Sequence, residues 1–151
     1  MKEIAKYDGC FVCGHENEYG LKARFFFSDG KAVTECTAQR HFEGYRGIYH
    51  GGVMAALLDE VMIKALLAKD IFAMTVELTV KFHKAVAIGQ KLHLEGCLEH
   101  QKGRLFLTVG EARLACRPSK LDAGEIVASA SGKYLQVKED MKVKLMQPLK
   151  T

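Results

Sequence analysis

Residues 50–68 read HGGVMAALLDEVMIKALLA. Val53, Met54, Leu57, Leu58, Val61, Met62, Ala65, Leu66 and Ala68 recur at three- and four-residue spacing, the pattern of an amphipathic helix. Ala55, Ala56, Ile63 and Leu67 make the other side apolar too, which predicts a helix buried nearly all round. Directly after it, Phe72, Met74, Val76, Leu78, Val80 and Phe82 alternate with Ala73, Thr75, Glu77, Thr79, Lys81 and His83. Strict period two over this length predicts a strand.

Working outward, Leu21 to Phe27 alternates apolar residues with Lys22 and Arg24, a half-buried strand. Ser28-Asp29-Gly30 supplies a hairpin turn, and Lys31 to Ala38 returns. Leu92, Leu94 and Leu98 mark one strand, Arg104 to Cys116 another with a bulge expected at Gly110, and Glu125 to Val137 a last one. The reading is two strands, one long helix, then four long meandering strands. That is an α+β design in which a curled antiparallel sheet wraps around one long buried helix, the hotdog fold. The chain is read as a single domain over 1–151, with an irregular N-terminal segment at 1–20 and a charged tail at 139–151.

Asp59 and Glu60 punctuate the apolar helix, and no stretch reaches the roughly 20 apolar residues of a membrane span. The first residues, MKEIAK, lack a secretory apolar core, so the expected location is cytoplasmic. Five cysteines without a secretion signal argue for reduced thiols. Cys36, Cys97 and Cys116 read as small buried side chains. Cys10-x-x-Cys13 followed by His15 has zinc-like spacing, but a second paired motif is missing, and the expectation is no metal. The formal charge of +4 comes from scattered Lys and Arg, unlike the massed positive face of a nucleic-acid binder.

Asp59 has Ala55, Ala56, Met62 and Ile63 as its helical neighbours and no basic partner. A lone carboxylate on an apolar face marks a functional group more often than a structural one. Glu60 has Lys64 four residues on, the spacing of an ordinary solvent-facing ion pair, and reads as structural, although it also stands among the substrate-binding candidates. His50-Gly51-Gly52 stands where the helix begins, with no Ser, Thr or Asp just before it as a cap. Two glycines leave the first N–H groups open to a ligand carbonyl, a recurring answer to oxyanion stabilisation.

The string from His50 to Asp59 resembles the active-site motif of the PaaI-like hotdog acyl-CoA thioesterases. Thr75 to Gly89 is similar to that family's next strand and turn, and Cys10 to Leu21 to an N-terminal segment of one subgroup. The resemblance implies hydrolysis of an acyl-CoA thioester, with Asp59 as general base or nucleophile. It implies that the Gly51 N–H polarises the carbonyl and that His50 helps place it, with Gly52 and Thr75 also at the substrate. Coenzyme A enters as part of the substrate, no separate cofactor is expected, and the site lies between subunits of a homodimer or homotetramer. Lys84, Lys102, Arg104 and Lys133 are loose candidates for the phosphates. The alternatives are a hydroxyacyl-thioester dehydratase or hydratase and a non-catalytic acyl-CoA binding protein.

Overall fold

The computed structural model describes residues 1–115, 124–146 and 149–150. Its main sheet has seven antiparallel strands: β1 (Lys2–Glu3), β3 (Phe26–Ser28), β4 (Lys31–Thr37), β5 (Ala73–Phe82), β6 (Lys91–Lys102), β7 (Leu105–Leu114) and β8 (Ile126–Gln136), in the order β1-β3-β4-β6-β7-β8-β5. The long helix α1 spans Gly51–Leu67 and packs on β4, β5, β6, β7 and β8. This is the hotdog fold expected from the sequence. Among the described residues no helix is long and apolar enough to cross a membrane.

Strands β6, β7 and β8 meander as expected, whereas β5 does not lie beside β6. It pairs with β8 at the far edge. A 17-residue helix is about 25 Å long at ~1.5 Å per residue, so α1 carries the chain across the concave face between β4 and β5. Two glycines let it lie close. Gly96 and Gly110 are cross-strand partners on β6 and β7. A Cβ on Gly96 would come within 2.7 Å of the Val61 carbonyl oxygen, and one on Gly110 within 3.0 Å of Met62 Cγ. Gly110 pairs regularly with both neighbours, so the bulge expected there is absent, and β7 shifts register at Ala112/Arg113 instead. The side of β7 buried under α1 carries Phe106, Thr108, Gly110 and Ala112, not Leu105, Leu107 and Val109.

The second apolar side of α1 is covered by the N-terminal segment rather than by further curling of the sheet. Ile4, Val12, Cys13, Ala23 and Phe25 are buried there. Of the strand expected at 21–27 only Phe26 and Phe27 are regular, within β3. Leu21, Ala23 and Ile4 instead donate to the carbonyls of Phe11, Val12 and Phe25. The Asp29-Gly30 turn has both residues at positive φ (52° and 80°), as a tight hairpin requires.

Lys64 is buried under this cover, its ammonium donating to the Ala5 carbonyl and lying 5.8 Å from the Phe25 ring centroid. The Glu60–Lys64 pair, 3.6 Å apart, is therefore interior, not the surface pair that its spacing implied. In the charged tail, α2 spans Glu139–Met146, and β9 (Leu149–Lys150) pairs with β2 (Lys6–Tyr7). Cys116 and Pro118 lie outside the described residues.

Candidate active site

His50 caps the helix itself. Its backbone is extended (φ −63°, ψ 128°), and its Nδ1 accepts the Gly52 N–H at 2.8 Å. An accepting Nδ1 leaves the ring proton on Nε2, so His50 presents a donor outward. The same bond occupies the Gly52 N–H, which corrects the expectation that both glycine N–H groups are left open. Gly51 keeps its N–H without a partner among the described residues. It borders a cavity of about 300 Å³ formed also by Met54, Phe82, Lys84, Val86 and Val127. The His50-Gly51 end thus offers two donors beside an open, mostly apolar hollow.

Asp59 is half-buried and not alone. Its Oδ1 accepts the Thr75 hydroxyl at 2.9 Å and the Tyr134 hydroxyl at 2.8 Å. Oδ2 takes no hydrogen bond from a described residue. The unpartnered buried carboxylate expected from helical neighbours is corrected: its partners come from the sheet. Burial, with the Asp59 charge beside it, holds the Tyr134 phenol well above its ordinary range, so it stays a donor.

Thr75 reaches Asp59 because β5 is not the strict alternation that its sequence suggests. Thr75 pairs with Tyr134 and Glu77 with Lys133, leaving Val76 as the extra residue of a bulge. Cross-strand partners share a face. Thr75 therefore faces α1 with Tyr134, while beyond the bulge Leu78 and Val80 take that face opposite Gly132 and Ala130. Gly132 is part of the arrangement: a Cβ there would lie 2.5 Å from the Tyr134 ring. Tyr134 escaped the sequence reading; a lone Tyr in a strand gives no signal until the register is known.

Asp59 and His50 are nine residues apart on one helix, about 13 Å along its axis at ~1.5 Å per residue. Both cannot touch one thioester carbonyl within one chain. Of the basic candidates, Lys84 pairs with Glu125 at 2.8 Å, Lys133 with Glu77 at 3.2 Å, and Arg104 donates to the Gln136 carbonyl.

Glu60 turns away from Asp59 toward Cys10 and Cys13, and the three ligating atoms lie within 4.8 Å of one another. Burial first, then the Cys10 charge, pushes the Glu60 carboxyl up to about 7, with Lys64 opposing. The expectation that Glu60 meets substrate is not supported by this direction. His15 is exposed and stands outside the cluster.

The thioesterase superfamily model matches residues 46–115, from just before His50 to the end of β7. The chain is 26% identical over 121 residues to an acyl-coenzyme A thioesterase of Mus musculus, THEM5, covering 78% of this chain and 46% of that protein. Among solved structures, the thioesterase superfamily protein RHA08564 superposes with a TM-score of 0.75 at 29% identity, covering 83% of this chain and 62% of that one. The smu.793 protein of Streptococcus mutans UA159, solved with acetyl CoA, superposes with a TM-score of 0.66 at 17% identity over 76% of this chain and 88% of its own. This chain thus spans less than two thirds of the mouse protein and of RHA08564. The matched segment, less than half of the chain, holds both the helix-capping histidine and the aspartate, and in sequence and fold the chain is similar to the hotdog-fold thioesterases.

Proposed function

We propose that this chain is a PaaI-like member of the thioesterase superfamily and hydrolyses acyl-CoA thioesters at a site shared by two copies. The observation that carries the reading is Asp59, with one carboxylate oxygen held by two hydroxyls and the other open. Oδ2 takes the proton of a water whose oxygen attacks the thioester carbon, or attacks that carbon itself to form a mixed anhydride that water then hydrolyses to the free acid. The Gly51 N–H of a second copy meets the developing oxyanion, and its His50 Nε2–H steadies the carbonyl or sulfur. The carbon–sulfur bond then breaks, and coenzyme A leaves as its thiolate and takes up a proton.

The edge strand supports the second copy. Met74, Val76 and Phe82 on β5 and Leu135 on β8 are 42–58% exposed, a large apolar display for an unpaired edge. Twofold antiparallel pairing of β5 with itself sets its Thr75 end against the Phe82 end of the other copy. Thr75 touches Asp59, and the Phe82 ring lies 3.5 Å from a Cβ built on Gly51. The pairing thereby brings the acid of one copy toward the helix start of the other. A thiol-release assay over an acyl-CoA panel, run on the wild type and on Asp59→Asn, tests the reading. Release that survives the substitution, or none with the wild type on any acyl-CoA, refutes it.

A further inference from the structure

The Cys10–Cys13 segment is held in a fixed turn against α1. Gly14 donates to the Cys10 carbonyl at 2.9 Å, closing one tight loop around both cysteines. A Cβ on Gly14 would lie 2.2 Å from the Asp8 carbonyl oxygen, so no other residue fits that turn. Cys10 is half-buried, and its Sγ receives the N–H groups of Val12 (3.4 Å) and Cys13 (3.5 Å). Cys13 is buried behind it. The Glu60 carboxylate stands 3.9 Å from Cys10 Sγ, and the Cys13 sulfur lies within 4.8 Å of both. Lys64 stands on the far side, 3.6 Å from Glu60.

Each feature has a chemical consequence. Two backbone donors and a nearby ammonium favour negative charge on the outer sulfur, and a carboxylate beside the inner one can take its proton. The Cys13 hydrogen bond, the two N–H groups and the Lys64 charge together pull the Cys10 thiol down to about 5, while donation to Cys10 and burial push Cys13 up. A metal would find three donors here, yet the next neighbour is a cation where a closed site needs a fourth ligand. The arrangement suits thiol exchange better than metal binding.

We infer that Cys10 and Cys13 form a reversible dithiol–disulfide couple that reacts with low-molecular-weight disulfides, with Cys10 as attacking thiolate, Cys13 as resolving thiol and Glu60 as proton acceptor. Cys10 attacks one sulfur of the small disulfide, its sulfur–sulfur bond breaks, and one small thiolate leaves and is protonated by water. The Cys13 thiol then gives its proton to Glu60 and attacks the Cys10 sulfur, expelling the second small thiolate, which is protonated in turn. Two protein thiols are oxidised to one disulfide, and the small disulfide is reduced to two thiols.

The test uses the full chain with oxidised glutathione, acid quenching and mass spectrometry of the intact protein and its peptides. The wild type should lose two hydrogens, with Cys10 linked to Cys13 and reversal by reduced glutathione. Cys13→Ser should stop at a glutathione adduct on Cys10, and Cys10→Ser should form neither adduct nor disulfide at Cys13. Glu60→Gln should leave adduct formation on Cys10 intact but slow closure by about tenfold or more, a split that mere packing of the segment would not produce. In the native protein Cys10 should react with iodoacetamide at least about tenfold faster than Cys97. Equal reactivity of Cys10 and Cys97, or no linkage between Cys10 and Cys13, overturns the inference. So does zinc that copurifies with the chain and protects both thiols until a chelator removes it.

Discussion

Replacing Asp59 by Asn separates charge from shape. The Asn carbonyl can still accept from Thr75 and Tyr134, so the bonds at 2.9 and 2.8 Å persist between neutral groups. A hydrogen bond to a charged acceptor contributes about 1.5–3 kcal/mol and a neutral one about 0.5–1.5, so two such bonds weaken by about 2 kcal/mol together. Relief of the partial desolvation of the carboxylate offsets some of this. The variant should be about 1 kcal/mol less stable, in urea denaturation at pH 7. Helical neighbours alone give the opposite sign, because an unpartnered buried charge would be relieved by neutralisation. Turnover should fall by about 10²–10⁴, chiefly in kcat, since base and nucleophile are both lost. Stabilisation by the substitution would show that the two hydroxyls do not hold a charge, and turnover within about tenfold of wild type would remove Asp59 from the chemistry. Glu60→Gln is the comparison. It should keep most activity and cost little stability at pH 7, because burial already pushes the Glu60 carboxyl up to about 7 and a neutral amide is spared that desolvation.

Tyr134→Phe should keep the fold and lower kcat/KM by about tenfold or more, through loss of one charge-assisted bond to Asp59; unchanged kinetics would leave Tyr134 a packing residue. Gly96→Ala should destabilise by about 1–3 kcal/mol or more, because the new methyl meets helix backbone at 2.7 Å; a neutral result in thermal denaturation would contradict the close approach. Val76→Lys should yield monomers in sedimentation and lose thiol release, while circular dichroism stays native; an active monomer would refute the shared site. For pH, Cys10 ionises near 5 in the folded chain against an ordinary 9, so its contribution to stability is complete above pH 9 and fades as pH falls through 5. The stability gap between wild type and Cys10→Ser, under reducing conditions, should therefore widen from pH 5 to 9. Glu60 runs the other way: raised from 4.5 to about 7, its ionisation erodes stability as pH climbs between those values. A gap that stays constant from pH 5 to 9 would contradict the Cys10 contribution.

The apolar run from Val53 to Ala68, the β6 alternation of Leu92 and Leu94, and the Asp29-Gly30 turn were each legible in the sequence, because each depends on neighbours a few residues away. Helix, strands and hairpin followed from that local pattern, and the lone acid on the helix pointed to the candidate site. What Asp59 touches was not legible. Its partners Thr75 and Tyr134 lie 16 and 75 residues away. They meet it only because β5 crosses to pair with β8 and a bulge at Val76 turns Thr75 inward. A bulge leaves no mark in a sequence that alternates strictly, since its cause is the fit of strand to helix. The Glu60–Lys64 pair shows the same limit: spacing predicts the contact, but only the N-terminal segment folding over α1 decides that it is buried beside two thiols. Local periodicity determines which elements form and which face is apolar; the register and covering of those elements, set by long-range packing, determine which polar groups meet.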